Sequence, residues 1–100
     1  MAKSRKYQDE LIKALQDHDE AAAYLNAALE ESLNGDKESQ EIFLRALRNV
    51  AEAQGGLGKL AKKSRVRREN LYRILTEGGN PELYTFTSLL SALGFTLRVA

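Results

Sequence analysis

Between Leu57 and Leu75 the chain places seven cations, Lys59, Lys62, Lys63, Arg65, Arg67, Arg68 and Arg73, against one anion, Glu69. A local balance of +6 in so short a stretch suits a polyanionic backbone such as that of DNA. The residue types divide by what they can do there. The planar fork of an arginine can donate twice to guanine O6 and N7, worth roughly 1–3 kcal/mol against a wrong base. Arg67, Arg68 and Arg73 are therefore candidates for base contact. Tyr72 can stack on a sugar or touch a thymine methyl, and Glu69 can accept from cytosine N4 or orient an arginine. Lys59, Lys62, Lys63, Arg65 and Asn80 suit phosphates, contacts that position a protein without reading sequence.

These residues need a frame, and the same stretch supplies one. Leu57 to Thr76 reads LGKLAKKSRVRRENLYRILT, two short helices joined by a tight corner. Leu60, Val66, Leu71 and Ile74 are apolar where two steeply crossing helices must bury side chains, and Ala61 is small where the axes come closest. On the second helix, residues three and four apart share a face. Burying Leu71, Ile74 and Leu75 leaves Arg67, Arg68, Glu69, Tyr72, Arg73 and Thr76 outward. The expectation is a helix-turn-helix whose second helix enters the major groove.

Overall charge hides this pattern. The chain carries a net +1, but residues 1–56 sum to −4 and the tail from Thr76 to −1. A length of 100 residues and 43% hydrophobic content give one domain with a small core, for which a dimer interface would be a useful supplement. The absence of cysteine excludes disulfides and thiolate metal sites. The N-terminus MAKSRKYQDEL has no apolar segment behind its basic residues, unlike a secretory signal. No apolar run reaches the roughly 20 residues a membrane helix needs. A soluble, cytoplasmic protein is expected, with no membrane partner.

Catalysis finds little support. His18 is the only histidine and lies between Asp17 and Asp19, a polar setting that suits a solvated surface residue better than a base or ligand. Gly55 to Lys59 reads GGLGK, but Leu60 follows where a phosphate-binding loop needs a hydroxyl, and the first glycine is misplaced. No enzyme activity, metal or cofactor is expected.

Taken in order, the chain gives a weak helical stripe from Lys6 to Gln16, behind frayed residues 1–5. A second helix runs from about Glu20 to Leu33, capped by Asp17 or Asp19 and stopped by Asn34-Gly35. A third runs to about Gln54, capped by Asp36 or Ser39, with Ile42, Phe43, Ala46, Leu47, Val50 and Ala51 recurring at three and four. Gly55-Gly56 breaks it. Gly78-Gly79-Asn80-Pro81 ends the two-helix unit, and Thr85 is placed to cap a last helix through Leu93. Phe95, Leu97 and Val99 then alternate with Thr96 and Arg98, predicting a short strand. A lone strand leaves backbone groups unpaired, so pairing with the same strand of a second copy is expected.

From Asp17 to Glu41 there are eight carboxylates and one cation, Lys37. They form either a solubilising surface or a docking face for a basic partner. Five segments sharpen the choice: YLNAALEE (24–31), FLRALRNVAEAQGG (43–56), LAKKSRVRRENLYRIL (60–75), GNP (79–81) and SALGFTLRV (91–99). Together they resemble the probable addiction module antidote family, HigA-like antitoxins with a helix-turn-helix of the phage-repressor type. The resemblance covers nearly all of the chain after Asp9. It implies a dimeric repressor of its own operon that binds double-stranded operator DNA and neutralises a small, basic toxin of the RelE/ParE-like class. It also implies toxin contacts outside the helix-turn-helix. Two positions depart from the family pattern. Arg65 stands where the corner usually has glycine, at about 1 kcal/mol if left-handed. Arg67 opens the second helix where serine or threonine is usual, losing a cap of roughly 1 kcal/mol and adding a cation.

The expected fold is thus all-α, a five- to six-helix phage-repressor-like domain with one short C-terminal strand, and dimeric. Residues 1–35 form an N-terminal helical extension for partner binding, and residues 36–100 form the DNA-binding domain. The competing readings are a helix-turn-helix regulator without a toxin, and an interaction module with incidental DNA contact.

Overall fold

The computed structural model describes residues 5–33, 35–76 and 80–99. Six helices follow one another: α1 (Arg5–Ala14), α2 (His18–Ser32), α3 (Lys37–Ala53), α4 (Leu57–Ser64), α5 (Arg68–Thr76) and α6 (Leu83–Ala92). Among the described residues there is no strand.

The longest helix, α3, is the axis of the packing. Of its expected stripe, Phe43, Ala46, Leu47, Val50 and Ala51 are buried and Leu44 joins them, as one face of a helix requires. Ile42 is corrected: it lies off that face, 45% exposed. The helix packs against α1, α2, α4 and α5, while α4 also packs on α5 and α6. Leu47, Val50, Leu71 and Leu89 are the largest side chains wholly shut off from solvent. Ala21 and Leu25 of α2 and Leu15, just past α1, belong to the same cluster, and Leu11 of α1 packs half-buried against it. Polar ties reinforce that join. Gln8 Nε2 donates to Asn49 Oδ1 at 3.1 Å, and Asn49 Nδ2 donates to the Tyr24 hydroxyl at 3.0 Å. Gln54 Nε2 donates to the Leu15 carbonyl at 2.8 Å.

Helix starts follow local chemistry. Asp17 caps α2 by accepting from the Glu20 amide at 3.2 Å. Asp36 caps α3, accepting from the Ser39 amide at 2.7 Å and from the Ser39 hydroxyl at 2.6 Å. These bonds to the charged form hold the Asp36 carboxyl below its ordinary value, the hydroxyl having the larger effect. The expected cap at Thr85 is corrected. Helix α6 begins a turn earlier, because the Phe86 amide already donates to the Glu82 carbonyl at 2.9 Å, and Glu82 is the residue at the cap. The stop signals at Asn34 and at Gly78-Gly79 lie outside the described residues.

The predicted C-terminal strand is also corrected. Gly94 takes φ +83°, its amide donates to the Ser91 carbonyl at 3.0 Å, and the Phe95 amide donates to the Leu90 carbonyl at 2.9 Å. That pair of bonds is a Schellman stop for α6. It satisfies the amide that would have opened the strand. The Phe95 ring then stacks on His18, with centroids 4.6 Å apart and planes 11° apart. Phe95, Leu97 and Val99 run on without a ladder.

Candidate nucleic-acid interface

Helices α4 and α5 are short, at 8 and 9 residues, too short to hold shape alone in water. Their inward residues lock them to the core. Leu60, Ala61, Leu71, Ile74 and Leu75 are buried, and Val66 is half-buried. Ala61 retains 8% exposure, so its single methyl already fills nearly all the room at that position.

The corner between the helices is set by one residue. Arg65 lies at φ 62°, ψ 23°, the only non-glycine with positive φ among the described residues. An L-residue pays about 1–2 kcal/mol there. Ser64 helps hold the turn, its hydroxyl accepting from the Val66 amide at 3.3 Å. The Arg67 carbonyl accepts from the Leu71 amide at 2.9 Å, which makes Arg67 the residue that opens α5. A guanidinium has no acceptor to offer the free amides of the first turn.

Lys59, Lys62, Lys63, Arg65, Arg67, Arg68 and Arg73 are all exposed, as are Glu69, Tyr72 and Asn80. None of the seven cations is ion-paired among the described residues. No carboxylate among the described residues pairs with them directly. Two of the candidates are held in place. Arg73 Nη2 donates to Asn70 Oδ1 at 2.6 Å, which fixes the plane of its fork. Tyr72, about half exposed, carries the Arg48 guanidinium 5.8 Å from its ring centroid, a cation–π distance.

Arg48 is the contribution that the sequence pattern concealed. It lies on α3, outside the basic stretch, and also pairs with Glu52 at 3.3 Å. Its nearness to Tyr72 arises only from the packing of α3 on α5. A second addition is an open cleft of about 680 Å³ beside the corner, where Lys63, Ser64 and Arg65 meet Thr87, Ser88 and Ser91 of α6. Cations beside hydroxyls suit phosphate oxygens better than base edges.

Among the described residues the fold is all helical, with a basic, solvent-facing pair of helices joined at the left-handed Arg65. Comparison with known proteins gives the family. The model of the "Probable addiction module antidote protein" family matches residues 6–100, and the chain belongs to that family. It is also 29% identical over 90 residues to an uncharacterized protein of Haemophilus influenzae, covering 90% of this chain and 86% of that one. No solved structure matches. No helix among the described residues is long and apolar enough to cross a membrane.

Proposed function

We propose that this chain is a HigA-like antitoxin that neutralises a RelE/ParE-like toxin in the cytoplasm and represses its own operon as a dimer on operator DNA. It acts by binding, without catalysis. Membership of the antidote family supports the toxin partner. The seven exposed, unpaired cations around the Arg65 corner are the observation that carries the DNA reading.

In this reading α4 and α5 are a helix-turn-helix of the phage-repressor type. Helix α5 lies in the major groove, with Arg67, Arg68, Glu69, Tyr72 and Arg73 toward base edges. Lys59, Lys62, Lys63, Arg65 and Asn80 hold phosphates on either side. Residues 36–100 form the DNA-binding part, and residues 1–35 brace it and lead to the partner. Two copies on one duplex place their recognition helices about one turn apart, roughly 34 Å, so the operator is a near-palindrome.

Two experiments test this. Expression of the adjoining reading frame alone should arrest growth, and co-expression of this chain should restore it; unchanged growth in both cultures would remove the antidote role. Footprinting on the DNA upstream of the gene should show two protected half-sites on one face. Uniform protection along the fragment would leave only non-specific binding.

A further inference from the structure

An open groove of about 650 Å³ lies where the end of α2, the start of α3 and the start of α6 meet. Leu29, Phe43, Leu44 and Phe86 form much of its floor. Leu33 and Leu83 also line it and are 78% and 72% exposed. Two leucines so open to water on one concavity are uncommon on a solvated surface and mark an interaction site.

The charge around it is lopsided. Of the charged side chains, Lys37 and Glu41 line the groove itself, while Glu30, Glu31, Asp36, Glu38 and Glu82 are exposed and stand beside its lining residues in the sequence. None of the seven cations of the α4–α5 unit lines the groove.

We infer that this groove is the docking site for a basic partner protein, which seats an apolar side chain between Leu33 and Leu83 with lysines or arginines over the surrounding carboxylates. The inference rests on the antidote reading and says where the partner binds. Charge complementarity selects the occupant. DNA is repelled by the carboxylates. A second copy joined about a two-fold axis would set the same acidic patch against itself, and like charges facing each other oppose the contact. A basic surface meets neither obstacle. The groove is built from both the N-terminal extension and the DNA-binding part, and Asn80, a phosphate candidate, is among its lining residues.

The test uses the full chain, the purified product of the adjoining reading frame as probe, and the double variant Leu33→Ser/Leu83→Ser. Both leucines are exposed, so melting temperature and affinity for the upstream DNA should stay within error and about twofold. Affinity for the probe should fall at least tenfold, and Glu38→Lys/Glu41→Lys should weaken it most at low salt. Equal binding by wild type and variants would overturn the groove while leaving the antidote role intact. No binding by wild type would overturn both. Loss of the dimer in the double variant, read by light scattering, would assign the groove to a second copy instead.

Discussion

Arg73 and Lys62 bear the same charge but present it differently. The Arg73 fork is planar and held by Asn70 at 2.6 Å, whereas the Lys62 ammonium ends a flexible stem on α4. A held fork can discriminate bases; a mobile point charge can only attract phosphate. Arg73→Ala should therefore lose roughly 1–3 kcal/mol on operator DNA and much less on random DNA, and Arg68→Ala, which removes a second planar fork on α5, should do the same. Lys62→Ala should weaken both alike. Equal losses on the two DNAs in the arginine variants, measured by titration, would contradict the assignment. Asp36 provides a pH test. Its carboxyl is held below the ordinary value by Ser39, so its stabilisation is fully present above the usual carboxylate range and is lost as pH falls through the lowered value. Asp36→Ala should melt earlier than wild type at neutral pH, with the gap closing in acid. A gap independent of pH would show that the carboxylate charge has no part in the cap.

The α4–α5 unit is governed by its corner and its closest approach. Ala61→Leu inserts three heavy atoms where little space remains, an overpacking cost of about 1–3 kcal/mol; an unchanged melting temperature would mean that the helices cross elsewhere. Arg65→Gly relieves the left-handed strain. It should raise stability by about 1 kcal/mol while lowering DNA affinity through the lost cation. A fall in melting temperature would place the strain elsewhere. The same elements show what the residues reveal in advance. Most of the α3 stripe, apart from Ile42, and the caps, narrowed to Asp17 or Asp19 and to Asp36 or Ser39, are legible because each depends on neighbours within one or two turns. The start of α6 lies ahead of Thr85, since the Glu82 carbonyl gives the helix an earlier first bond without any side-chain cap. The alternation from Phe95 to Val99 resembles a strand, but a strand exists only with a ladder. Within one chain the Phe95 amide and ring already have partners in Leu90 and His18. Arg48 is hidden in the sequence for a related reason: its place beside Tyr72 depends on how two helices distant in sequence pack.

At the scale of the whole molecule the charge separation is the main feature. Residues 1–56 balance to −4 and the α4–α5 stretch to +6; in the proposed function a basic protein meets the first and DNA the second. The molecule's principal extents of 34 × 31 × 27 Å allow two copies side by side to cover half-sites one DNA turn apart, roughly 34 Å. The decisive measurement is the salt dependence of affinity for the upstream DNA. With about eight phosphates neutralised per dimer, log affinity should fall against log salt with a slope near −7. A slope near zero on the same fragment would mean that these cations do not meet a duplex.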